Sequence, residues 1–323
     1  MRQAARATHR FDMTRPVEII GHRGARGLFP ENTIDGFRDA LDLGVRMFEL
    51  DVGMTADGVV VVSHDLALNP AVTRDASGRF LSGTPPLIHA LTYAELSRYD
   101  VGRIRPASHY RLLHRAQQAN DGARVPRLVD VLRLVPEANF IIELKTDPRY
   151  PGRTAAPEQL ADAVLSIVDT AGATGRVIVE SFDWRGPRYI RRRRPEIRLA
   201  WLTRPGTERE AALWWDGQIP AAFGRSVPAT VAAQGGAIRG EIGGEIRGEI
   251  WAPASETLTR AEIAHAHDLG LRVMPWTVNR RAAMRRLIGW GVDGLITDRP
   301  DKAMIVTAAL AREVEPARQS QSA

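Results

Sequence analysis

The 323-residue chain contains no cysteine. That excludes disulfides, thiolate metal sites and a cysteine nucleophile together. The absence is neutral about compartment, since nothing needs an oxidising environment; the expected location is the cytoplasm. No run of about 18 apolar residues occurs, so no transmembrane helix is expected. The basic stretch 1–15 has no apolar h-region and does not read as a secretory signal. Met13 leads straight towards the first strand, and a start there would make residues 1–12 an extension. Lysine is nearly missing too: Lys145 and Lys302 are the only two, and arginine carries the rest of the positive charge. In such a chain a lysine inside an apolar strand is a pointed choice.

The apolar share is 44%, enough for a real core, so disorder is not expected over most of the length. A formal net charge of +6 suits anionic substrates and gives little reason to expect nucleic acid. The run Arg191–Arg194 resembles a phosphate patch but reads better as the solvated end of a helix before Pro195.

The stretch 46–65, RMFELDVGMTADGVVVVSHD, organises the chain. Two apolar strands flank Asp57-Gly58, a hairpin signal. So short a link cannot form a parallel crossover, so the second strand folds back on the first. Pairing Met54 with Val59 sets His64 opposite Glu49. Alternation puts Glu49 and Asp51 on one face. The expectation is two carboxylates and a histidine on one hairpin.

Elsewhere strands alternate with helices. VEIIG (17–21) ends in His22-Arg23-Gly24, and Asn32 or Thr33 can cap the helix that follows. From Leu66 to about Arg124 the periodicity fades, apart from a helix near Thr92–Arg98, which reads as an insertion. Strands are expected at 139–145, 176–181, 198–202, 271–276 and 294–297, with helices between them and a last helix from Pro300 to Arg312. Repeated units of this size predict a parallel α/β fold, either a (β/α)8 barrel or an open doubly wound sheet. The segment 237–250, AIRGEIGGEIRGEI, repeats IRGEI and reads as a tolerated surface expansion rather than a metal site.

Strand ends carry the chemistry. His22 and Arg23 follow the first strand; Glu49 and Asp51 end the second; His64 and Asp65 end the return strand; Glu143 and Lys145 end NFIIELK; Trp276 and Asn279 close LRVMPWTVN. Three carboxylates in otherwise apolar strands require compensation. An ion-pair network with Arg23 and Lys145 would supply it. A divalent cation supplies it better, and an all-oxygen site suits Mg2+, Ca2+ or Mn2+ rather than Zn2+. Cation, arginine and lysine can hold a phosphoryl group, while two histidines exchange protons near neutrality. That is a kit for cleaving a phosphodiester.

The chain resembles the glycerophosphodiester phosphodiesterase family. The matching pieces are HRGARGLFPENT at 22–33, ELDVGMTADGVVVVSHD at 49–65, VPRLVDVL at 125–132, IIELK at 141–145, ESFDW at 180–184, WTVN at 276–279 and DGLITDRP at 293–300. The resemblance implies a TIM barrel with an insertion after the third strand. It implies hydrolysis of a glycerophosphodiester to sn-glycerol 3-phosphate and an alcohol. It assigns one divalent cation to Glu49, Asp51 and Glu143, acid-base work to His22 and His64, the phosphate to Arg23 and Lys145, and the glycerol side of the pocket to Trp276. In the family's account a glycerol hydroxyl attacks phosphorus and water then opens a cyclic phosphate. Asp65 and Asn32 are expected to be structural, as an orienting group and a helix cap. Two departures stand out: LALNPAVTRDASGR after Asp65, and Glu180 where an uncharged residue is expected.

The expected organisation is an extension at 1–15, one barrel domain at 16–312 with an insertion at about 66–125 and an expanded loop at about 235–250, and a tail at 313–323. Two other functions fit less well: a phospholipase-D-like enzyme acting on lysophospholipids, and a non-catalytic phosphate- or phospholipid-binding barrel.

Overall fold

The computed structural model describes residues 16–235, 241–242, 245–246 and 249–319. The expected 1–15 extension, the end of the tail and much of the 235–250 loop lie outside them.

The strands are β1 (Glu18–His22), β2 (Met47–Met54), β3 (Val60–Val62), β4 (Asn139–Leu144), β5 (Val177–Ser181), β6 (Arg198–Thr203), β7 (Glu241–Ile242), β8 (Glu245–Ile246), β9 (Ile250–Pro253), β10 (Arg272–Val273) and β11 (Gly294–Thr297). Eight run parallel in the order β10-β9-β6-β5-β4-β2-β1-β11. Backbone bonds from Asp293 N to Val273 O (2.9 Å) and from Ile296 N to Pro275 O (3.0 Å) span the remaining gap. The sheet is thus a nearly closed (β/α)8 barrel, and the doubly wound alternative is excluded. Only β3 lies off this path, antiparallel to β2. β7 and β8 form a small separate hairpin.

Several expectations need correction. β9, the strand after the repeat, reads in the sequence only as the end of a loop. The last helix runs Pro300–Gln319, past Arg312. Met54 pairs with Val60, not Val59. Asn32 is no cap: its φ is +54°, and the Thr33 side chain accepts from Gly36 N instead. The arginine run does end a helix (Arg185–Arg193), and Arg191 and Arg194 pair with Glu249 and Asp169.

The core has two parts. Outside the barrel, helices cover the strands, and Phe37, Phe48 and Phe140 meet with ring centroids 5.4–6.0 Å apart. Inside, Ile20, Met47, Ile141, Ile178, Ala200, Ile250, Met274 and Ile296 form one apolar plug, each strand or the residue just after it contributing one. The plug fills the barrel and leaves it no pore. The insertion carries a small core of its own, Leu68, Ile88, Leu96 and Val125 packed on Val61. Thr92 caps its helix Tyr93–Leu96 with a reciprocal bond to Glu95.

Candidate active site

Side chains on a strand return to the same face every second residue. Two residues beyond each member of the plug stand His22, Glu49, Glu143, Glu180, Leu202, Ala252, Trp276 and Asp298. The polar end of the barrel is therefore the next interior step after its apolar floor. The register confirms the adjacency: His22 pairs with Glu49, Asp51 with Glu143, and Glu143 with Glu180. A pocket with about 460 Å³ of space, part of it open to solvent, lies here, lined by His22, Arg23, Glu49, His64, Glu143 and Glu180 together with Phe182, Leu202 and Trp276.

Glu49, Asp51 and Glu143 are buried, and one oxygen from each lies within 4.8 Å of the others. Asp51 Oδ1 is shut off from solvent without a hydrogen-bond partner. Lys145 Nζ stands 3.5 Å from it and 2.9 Å from Glu143 Oε1. Burial raises the Glu143 carboxyl to about 7, with Asp51 adding to the rise and Lys145 opposing it. Glu49 is pushed well above the usual range by burial, then by Asp51 and Glu180. Burial works the same way on Asp51, but Arg23, His64, Lys145 and the Asn32 bond outweigh it and hold that carboxyl well below. Three crowded carboxylates that resist ionising together, with an orphaned oxygen among them, could hold a hard divalent cation.

His22 Nδ1 donates to Asp298 Oδ1 at 2.6 Å, which leaves Nε2 facing Glu49 Oε2 at 3.6 Å. Asp298 also accepts from Arg26 Nε and Asn279 Nδ2, both at 2.7 Å. Burial, with help from Arg26, lowers His22 to about 4 despite Asp298, so its imidazole is neutral at pH 7. His64 donates Nδ1 to Asp65 Oδ1 at 2.7 Å, and its pKa is lowered by burial, Lys145 and Arg23. Each ring therefore presents Nε2 free of its orienting carboxylate.

His64 arrives by a different route from the one the hairpin register implies. With Met54 opposite Val60, alternation turns Ser63, not His64, towards the Asp51 face. β3 ends at Val62, though, and Ser63 N bonds Asp51 O at 2.9 Å as the chain leaves the sheet. That exit delivers His64 to the pocket.

Arg23 occupies a tight turn. Its φ is +53° and that of Gly24 +92°, and a Cβ on Gly21 would meet Gly24 O at 1.9 Å. A non-glycine residue held left-handed in a site is stored strain. The turn sends Arg23 N to Glu49 Oε2 (3.1 Å), its Nε to within 3.2 Å of Asp51 Oδ2, and its Nη1 to Glu31 Oε1 (3.0 Å). Asn32 donates to Asp51 Oδ2 at 3.0 Å, so it orients a carboxylate. Tyr110, from the insertion, closes on Glu31 from the other side.

The structure thus brings His22, Arg23, Glu49, Asp51, His64, Glu143, Lys145 and Trp276 to one end of the barrel. Trp276 packs edge-on to Phe182 (5.4 Å) and donates Nε1 to Ala252 O. Sequence reasoning missed Arg26, Glu31 and Asp298. Only Asp298 left a signal, as the polar residue two beyond Ile296.

A barrel with paired histidines beside buried carboxylates and cations defines a hydrolase working on an anionic group. Comparison narrows the class. The model of the glycerophosphoryl diester phosphodiesterase family matches residues 22–302. A glycerophosphodiester phosphodiesterase of Bacillus altitudinis is 30% identical over 292 residues, 89% of this chain and 97% of its own. One of Bacillus subtilis is 27% identical, over 88% of this chain and 84% of its own. Among solved structures, a chain of this type from Silicibacter pomeroyi superposes with a TM-score of 0.80 at 35% identity, covering 92% of this chain and 95% of that one. A phosphodiesterase of Oleispira antarctica, solved with its product sn-glycerol 3-phosphate, has a TM-score of 0.62 at 18% identity over 90% of this chain and 96% of that one, a likeness of fold. The chain belongs to the glycerophosphoryl diester phosphodiesterase family. It is an enzyme, which removes the non-catalytic alternative. No helix among the described residues is long and apolar enough to cross a membrane.

Proposed function

We infer that the chain hydrolyses glycerophosphodiesters to sn-glycerol 3-phosphate and an alcohol, with one divalent cation held by Glu49, Asp51 and Glu143. The observation that supports this reading is the convergence of both histidines, Arg23, Glu49 and Glu143 on one pocket, with Asp51 and Lys145 packed directly against those carboxylates. Mg2+, Ca2+ or Mn2+ fits the oxygen-only donors; bound, it supplies Lewis-acid polarisation of the phosphoryl oxygens.

Arg23 and Lys145 face the phosphate, whose charge then satisfies groups that now lean on Asp51 and Glu143. His22, deep in the barrel with its Nδ1 pinned, takes the proton of a glycerol hydroxyl as that oxygen bonds to phosphorus. His64, nearer the insertion, gives a proton to the departing alcohol oxygen as its P–O bond breaks. Water then opens the cyclic phosphate with the proton transfers reversed. The alcohol leaves towards the insertion, so residues there select the head group.

The test is release of glycerol 3-phosphate from a panel of glycerophosphodiesters and a lysophospholipid, with EDTA and with His64→Ala. Loss of turnover in both is expected. Undiminished turnover in both refutes the mechanism. A preference for the lysophospholipid would transfer the assignment to the phospholipase-D-like reading.

A further inference from the structure

Among the groups that the proposed chemistry leaves unused, Glu180 stands apart. It follows Ile178 of the plug by two residues on β5, so it points into the barrel, and it pairs in register with Glu143. It is 1% exposed. Its Oε2 is sealed from solvent and has no hydrogen-bond partner, while Glu49, Asp51 and Glu143 each have a basic or N–H neighbour. A buried polar atom without a partner is costly and calls for an explanation. The surroundings supply one: Glu180 lines the same pocket as Phe182, Leu202 and Trp276. An apolar lining with one buried acceptor suits a small polyol, carbon face on the rings and one hydroxyl on the carboxyl.

We propose that Glu180 is a specificity-determining residue whose Oε2 receives the terminal hydroxyl of the substrate's glycerol end. The inference rests on the glycerophosphodiester reading and extends it. The phosphate is held by Arg23 and Lys145 and the attacking hydroxyl lies beside His22, so the remaining hydroxyl of a glycerol is the one that reaches β5. A site built around a hydrogen bond to a hydroxyl rejects the analogue that lacks it, because the acceptor stays buried and unpaired.

The experiment compares sn-glycerol 3-phosphate with 2-hydroxypropyl phosphate, which lacks only that terminal hydroxyl, by calorimetric binding to the wild type, Glu180→Leu and Glu180→Gln. The matching choline diesters are compared in kcat/KM. The wild type is expected to favour the glycerol compound by about 2- to 12-fold, the span of a hydrogen bond between neutral groups, since burial raises the Glu180 carboxyl well above its ordinary range. Glu180→Leu erases the preference, and Glu180→Gln, with an acceptor of the same shape, keeps most of it. Leucine also replaces an unpaired buried carboxyl by an apolar group, so its melting temperature is expected to be no lower than the wild type's. An unchanged preference in Glu180→Leu overturns the proposal. So does a loss of Mn2+ affinity of roughly tenfold or more in Glu180→Gln, which would make Glu180 part of the cation's surroundings. If the wild type turns over no diester yet binds glycerol 3-phosphate in a Glu180-dependent manner, the catalytic reading falls and this one stands.

Discussion

Replacing Asp298 by Asn changes one oxygen to nitrogen at a residue only 2% exposed. Three donors converge on that carboxylate: His22 Nδ1 at 2.6 Å, Arg26 Nε at 2.7 Å and Asn279 Nδ2 at 2.7 Å. The amide keeps one acceptor and turns the other position into a donor. Bonds to a charged acceptor are worth about 1.5–3 kcal/mol against about 0.5–1.5 for neutral pairs, so two of them lose roughly 2–3 kcal/mol together. Arg26 also keeps a buried charge with its carboxylate gone. His22 loses the partner that fixes which nitrogen carries its proton, and the base is no longer aimed. The expected result for Asp298→Asn is a fall in kcat of about 30- to 150-fold, the same free energy converted at ~1.36 kcal/mol per decade. Asp298 raises the pKa of His22 against burial and Arg26, so its removal moves the acid limb of the pH profile downwards. Initial rates of glycerol 3-phosphate release from about pH 3 to 9 measure both effects, with circular dichroism at each pH to establish that the variant folds. A kcat within threefold of wild type and an unmoved acid limb would refute the role given to Asp298.

Three further outcomes are expected. Saturating Mg2+ or Mn2+ at about 100 times its dissociation constant adds ~2.7 kcal/mol, which for a chain of this size raises the melting temperature by about 3–5 °C; Glu49→Gln should abolish most of that rise, and an equal rise in the variant places the cation elsewhere. In EDTA, stability should fall as pH drops below about 4.5. Between pH 7 and 4.5 the neutral His22 favours the fold at the high end, whereas Glu49 and Glu143, held above their ordinary values, favour it at the low end. Below that range only losses remain, from His22 as pH passes through 4 and from Asp51, Asp298 and Glu31, all held below their ordinary values; urea titrations that give equal midpoints at pH 4.5 and pH 3 would contradict it. Phe37→Ala removes a fully buried ring from the cluster with Phe48 and Phe140, and denaturation should show a loss of about 3–5 kcal/mol, whereas a loss below 1 would mean that the helix does not anchor there.

Most of the barrel is legible in the sequence because its strands are short, apolar and bounded by polar ends. β9 escapes for a local reason: the glycine-glutamate repeat runs up to Glu249 and hides the first apolar residue, Ile250. The hairpin register fails by one residue because turn chemistry suggests where a strand starts, not where it ends. The primary site residues are legible because each is polar in an apolar strand. Their supports are less so. Glu31 and Tyr110 are 79 positions apart, and nothing local in either marks the contact. Asn32 reads as a cap from its neighbours and orients Asp51 only because its own backbone turns left-handed.

The apolar plug has a consequence for how mutations divide. Two residues along a strand span roughly 7 Å, so a single pleat separates the layer that keeps the barrel dry from the layer that reacts. Ile20, Ile141 and Ile178 do not line the pocket, yet each of these side chains is the footing of an acid or base directly above it. A methyl group removed there lets one strand settle against its neighbours, and the carboxylate or imidazole it carries settles with it. The barrel's thermostability and its catalytic alignment are therefore tuned by the same few aliphatic volumes, and selection for either one constrains the other.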